Sequence, residues 1–195
     1  MTALTDPANA GDAVATPSTP PATRSAGAGI RPGRGAAIVR ILFGALWGID
    51  AAFKWMPGFV HGQTLSDELG KAAEVNVPIE HQWLQLWNSV GLANPPAFAV
   101  AIAIIETLVA LALITGSFTR IALIVSTLLA IGIWTGAEGM HLPWFKPGQT
   151  DLGPSVGYIF ASLALLFTAA AQRWSVDELL ARRVPGLRRV LGIPA

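Results

Sequence analysis

The chain has 195 residues, 52% of them hydrophobic and only 13% charged, with a formal net charge of +1 and a positive mean hydropathy. A soluble domain normally carries about a quarter charged residues, so this composition points to a protein of the bilayer. With no cysteine, disulfides, thiolate metal sites and thiol redox chemistry cannot be carried by this chain alone.

Residues 1–34 are rich in Ala, Pro, Thr, Gly and Ser and lack apolar periodicity. Such a segment buries too little surface to offset its ordering entropy, and a disordered tail is expected. It has no basic start followed by a short apolar core, so it does not read as a secretory signal. Four apolar runs follow, at residues 36–56, 96–114, 118–135 and 155–171. Each reaches the roughly 17–25 residues that cross about 30 Å of hydrocarbon. The second is preceded by Asn94-Pro95-Pro96, an N-cap with proline in the first helical positions, and Gly116-Ser117 makes a tight turn before the third. The sequence therefore predicts an all-α membrane protein, a four-transmembrane-helix bundle over residues 35–174. Its outer loops span 57–94 and 136–154, and a basic segment, 175–195, follows.

The arginines set the topology. Arg24, Arg31, Arg34 and Arg40 flank the first run, Arg120 lies at the turn between the second and third, and Arg173, Arg182, Arg183, Arg188 and Arg189 follow the fourth. All ten fall on one side, with Lys54, Lys71 and Lys146 on the other. By the positive-inside rule both termini are cytoplasmic, and the expected location is a bacterial cytoplasmic membrane. In the first loop Ile79, Trp83, Leu86, Trp87 and Val90 recur at helical spacing, which predicts an amphipathic helix on the outer leaflet. Trp55, Trp134 and Trp144 fit an outer aromatic belt, and Trp174 an inner one. Ser175 and Glu178 form a capping box that opens a short cytoplasmic helix, whose arginines suit anionic lipid headgroups.

Stripes of small residues (Gly44 and Gly48; Ala99, Ala103 and Ala110; Ala122, Ser126 and Ala130; Gly157, Ala161, Ala164 and Thr168) read as helix-packing faces. Glu106 is different, because a carboxylate in a span is costly and needs a partner. Asp50 and Lys54 share a face of the first helix with Arg40 and Trp47, so a Glu106–Lys54 or Glu106–Asp50 contact is expected. That contact serves either as a register-fixing ion pair or as a proton-handling or ligand-binding site. His61, Glu138, His141, Asp151 and Tyr158 gather near the same mouth. The histidines have no metal-ligand spacing, no phosphate loop or nucleophile elbow occurs, and nothing suggests nucleic acid.

The segment Arg40-Ile41-Leu42-Phe43-Gly44 with Lys54, then Glu106 with Leu113-Ile114-Thr115-Gly116 and Thr119-Arg120, resembles the DoxX/DoxD family of four-helix membrane proteins. Gly148-Gln149-Thr150-Asp151-Leu152-Gly153 with Tyr158 is similar to its DoxD-like branch. The match covers roughly residues 34–174, and Asp50 departs from the family's pattern. The resemblance implies a membrane subunit of a quinone-linked oxidoreductase, a thiosulfate:quinone oxidoreductase in the DoxD case, with quinone as co-substrate and a second membrane or peripheral subunit as partner. No haem, flavin or metal ligation is identified. In that reading Glu106, Lys54 and Asp50 form the catalytic group, and Arg40, Trp47, Trp134, Asp151 and Tyr158 bind substrate or quinone. The alternative is a non-catalytic membrane scaffold of a redox or detoxification complex.

Overall fold

The computed structural model describes residues 32–72, 78–138, 152–168 and 174–184, and these contain helices and turns with no strand. The helices in chain order are α1 (Pro32–Lys54), α2 (Pro57–Val60), α3 (Gln63–Ala72), α4 (Pro78–Gly91), α5 (Pro95–Thr115), α6 (Thr119–Thr135), α7 (Ser155–Leu166) and α8 (Val176–Arg183). Most of the expected tail, residues 1–31, and most of the second outer loop lie outside the described residues, whereas α1 begins at Pro32 and takes in Arg34.

Local sequence sets the helix ends. The Asn94 side chain accepts from Ala97 N at 3.2 Å, and Pro95 follows where no intrahelical N–H partner exists. At its far end α5 stops at Gly116, whose φ of 70° is the left-handed closure that glycine adopts without strain. Ser175 caps α8, its Oγ accepting from Glu178 N at 3.0 Å, and Glu178 accepts from Trp174 N at 3.2 Å in return. The amphipathic helix expected in the first outer loop is α4, and a second helix, α3, precedes it.

Helix α1 runs along α5, α6 runs along α7, and α5 joins the two pairs. Helices α1 and α5 approach closely at Gly44, where a Cβ would come within 2.9 Å of Ile114 N and Leu113 Cβ. The core between the four helices is built from Phe43, Trp47, Val109, Ala110, Leu113, Leu123 and Leu165. A smaller cluster of Phe59, Leu65, Leu69 and Ala99 joins the loop helices to the start of α5.

Helices α1 and α5 are long and apolar enough to cross a membrane, over Arg34–Lys54 and Pro95–Thr115, and α6 and α7 are apolar but shorter. Their outward faces are apolar. Leu42, Phe53, Leu108, Leu128 and Phe160 are all exposed, Phe160 by 68%. Polar groups lie inside instead, at Arg40, Glu106, Ser126 and Ser162.

One end of the molecule is closed by α8. Asp177, buried, accepts from both Phe118 N (2.7 Å) and Thr119 N (2.9 Å), and its own N–H donates to Gly116 O at 3.1 Å. Phe118, with φ 50°, offers no side-chain cap to α6, so the cap comes from a residue 59 positions later. Arg40, fully buried, donates from Nη2 to Trp174 O at 3.0 Å. The Arg34 guanidinium lies 5.8 Å from the Trp174 ring centre.

Candidate functional site

Residues i, i+3 and i+7 of a helix share a face, and α1 uses that spacing to present Trp47, Asp50 and Lys54 to one cavity. Helix α5 adds Glu106, α6 adds Ile133, and Glu138 follows just beyond α6. The first turn of α7, with the residue before it, adds Pro154, Ser155 and Tyr158. The cavity measures about 180 Å³.

Hydrogen bonds hold most of its walls. Tyr158 Oη donates to Asp50 Oδ2 at 2.5 Å, linking α7 to α1. Tyr158 also packs edge-on against Trp47, with ring centres 5.0 Å apart, and lies 5.5 Å from Phe43. Trp47 Nε1 donates to Ser126 Oγ at 2.8 Å, and Ser126 and Ser162 share a hydrogen bond of 2.7 Å. Below the cavity a buried polar chain thus crosses α1, α6 and α7. Glu138 Oε1 accepts from Ser155 Oγ at 2.6 Å and from Ser155 N at 3.3 Å.

Glu106 is the exception. Its side chain is 1% exposed, it lines the cavity, and neither carboxylate oxygen has a hydrogen-bond partner among the described residues. The expected Glu106–Lys54 or Glu106–Asp50 contact is not formed. Asp50 is taken by Tyr158, and the Lys54 ammonium sits 4.4 Å from the Phe59 ring centre, in cation–π contact. Burying a carboxylate without a partner is among the costliest arrangements in a folded chain. A group placed in this cavity, a proton included, would relieve that cost.

Of the residues singled out from sequence, the cavity brings together Glu106, Lys54, Asp50, Trp47, Glu138 and Tyr158. Arg40 is not among them. It shares their helix face, but fourteen residues separate it from Lys54, roughly 21 Å along the axis, and it serves the α8 closure. Trp134 lies beside the mouth, its Nε1 donating to Leu152 O at 2.7 Å, without lining the cavity. Asp151 and His141 lie outside the described residues, and His61 and His81 do not line the cavity. Sequence reasoning missed Ser155 as the partner of Glu138, read Ser126 only as a small packing residue, and did not single out Ser162. Among the described residues no group of three or more His, Asp or Glu is placed to hold a metal ion.

Comparison with known proteins finds no matching family model, no matching curated protein and no matching solved structure.

Proposed function

We propose that the chain is an integral membrane protein of four spans, the membrane subunit of a quinone-linked oxidoreductase whose cavity receives the quinone headgroup. The observation that carries this is Glu106, buried without a partner among the described residues on an apolar helix long enough to cross a membrane, and facing a cavity. The outward faces support the membrane placement. Only 33% of each candidate span is buried inside the protein, and an apolar surface of that extent suits hydrocarbon and not water.

The cavity's chemistry favours a neutral ligand. Three carboxylates, Asp50, Glu106 and Glu138, face it against one ammonium, Lys54. A quinone brings no charge, offers carbonyl oxygens to the Lys54 ammonium, and on taking two electrons also takes two protons. Glu106 exchanges one of these with the cavity mouth, and Lys54 stabilises the negative charge that develops on the ring oxygen. A sulfur anion such as thiosulfate is repelled by this carboxylate set. Its oxidation, two thiosulfates joining with loss of two electrons, belongs outside the cavity, on the outer face or on a partner subunit.

The test is thiosulfate-dependent reduction of a short-chain quinone by the protein in nanodiscs with its partner present. Wild type turns over, and a folded Glu106→Gln protein loses most of the rate. Equal rates in the two would remove the reading. A second reading, a non-catalytic scaffold, is favoured by the rigid seating of α8, which leaves Leu179, Arg182 and Arg183 outward. In that case Glu106→Gln leaves partner capture intact and loss of residues 175–195 abolishes it.

A further inference from the structure

A second cavity, of about 230 Å³, lies between α5 and α6 on the side covered by α3 and α4. Its walls are Phe98, Ile102 and Ile105 on α5, Leu128, Leu129, Gly132 and Ile133 on α6 with Gly136 and Ala137 just beyond it, Leu65 and Leu69 on α3, and Trp87 on α4. Among the described residues every lining side chain is hydrocarbon except one. The Trp87 indole carries the single polar side-chain atom among them, Nε1, which is buried and has no acceptor among the described residues.

The position of that atom along the groove gives it meaning. Helices α5 and α6 run antiparallel, so Phe98 stands opposite Gly136 at the loop end and Ile105 opposite Leu128 farther in. Trp87 is at the loop end. Its ring centre is 6.3 Å from that of Phe98, and a Cβ at Gly132 or Gly136 would come within 3.3 Å of its indole. From Phe98 to Ile105 is about 10 Å at the helical rise, roughly two-thirds of one leaflet's ~15 Å of hydrocarbon. At the inner end Leu128 is 63% exposed, on the surface that faces lipid. A donor at the interface end and a hydrocarbon slot running inward match one molecule class in polarity and direction.

We propose that this groove holds one acyl chain of an ester-linked membrane lipid, with the ester carbonyl accepting a hydrogen bond from Trp87 Nε1–H. The chain lies along Ile102, Ile105 and Leu128, and the carbonyl meets the indole where α4 covers the end of α6. A buried indole N–H without an acceptor is a cost that the ester removes. The quinone reaction plays no part in this inference, which rests on the membrane placement alone.

The protein is extracted in mild detergent, freed of loose lipid, and its bound lipid measured by mass spectrometry. Wild type retains about one phospholipid per chain, and Ala137→Phe, which fills the groove at its interface end, retains none. Circular dichroism and melting confirm that this variant is folded. On wild type itself, diester phosphatidylcholine outcompetes the diether analogue of the same chains by roughly fivefold, the value of one hydrogen bond, and Trp87→Phe abolishes the preference. Equal lipid retention by wild type and a folded Ala137→Phe, or equal diester and diether binding, overturns the proposal. So does recovery of a quinone in place of phospholipid. Release of the protein from membranes by carbonate without detergent overturns the membrane placement, and the lipid with it.

Discussion

Asp177→Ala is expected to loosen the closure made by α8 without touching the cavity. The carboxylate accepts two backbone N–H groups at the start of α6, at 2.7 and 2.9 Å, and is itself buried. Hydrogen bonds to a charged acceptor are worth about 1.5–3 kcal/mol each, and loss of a helix N-cap alone costs about 0.5–2 kcal/mol. The two bonds share one carboxylate and are not independent, and truncation also leaves the buried Arg40 guanidinium without the nearby Asp177 charge. A net loss of about 3 kcal/mol follows, which for a domain of this size lowers the melting midpoint by roughly 6–12 °C. The assay is thermal unfolding in detergent followed by gel filtration, with limited proteolysis reporting release of residues 174–184. Asp177→Asn keeps one acceptor and falls between wild type and Asp177→Ala. A midpoint within 1 °C of wild type for Asp177→Ala, with no new cleavage before α8, would refute this account of the clasp.

Gly116→Ala should destabilise the same region, because φ is +70° and a Cβ there would overlap Ser175 and crowd the Arg40 guanidinium; a midpoint drop comparable to that of Asp177→Ala is expected in the same assay. Trp47→Phe removes the 2.8 Å bond to Ser126 while Ser162 still bonds that hydroxyl, so the loss should be modest, about 1 kcal/mol, read by chemical denaturation. Asp50→Ala and Tyr158→Phe each remove one shared hydrogen bond. A double-mutant cycle should give a coupling of about 1–3 kcal/mol, and additivity of the two would show that the bond contributes nothing.

Where a signal is local, the sequence was enough. The proline pair after Asn94, Gly116 and the Ser175–Glu178 capping box mark helix ends that the structure keeps within a residue or two. The face shared by Trp47, Asp50 and Lys54, and the isolation of Glu106 in an apolar helix, follow from the 3.6-residue period and from the cost of a buried charge. Pairings across the chain were not legible. Period alone puts Arg40 on the cavity face, and only the return of residues 174–177 to the start of α6 shows that it serves the other end. Glu138 and Ser155 sit 17 residues apart on either side of a loop, and Ser126 looks like a packing residue until three helices bring it, with Ser162, to Trp47. Helix α3 was missed because its sequence, QTLSDELGKA, is mostly polar and sits within a long loop; it takes its stability from Leu65 and Leu69 against α5.

The central claim is that Glu106 faces a cavity that takes a quinone headgroup. Labelling of membrane-embedded protein by a hydrophobic carbodiimide, with the modified carboxylates mapped by mass spectrometry, tests it most directly. Glu106 should react, and a saturating tailless quinone should slow its modification several-fold while leaving the exposed Asp67 unchanged. Modification of Glu106 at the same rate with and without quinone would contradict the account.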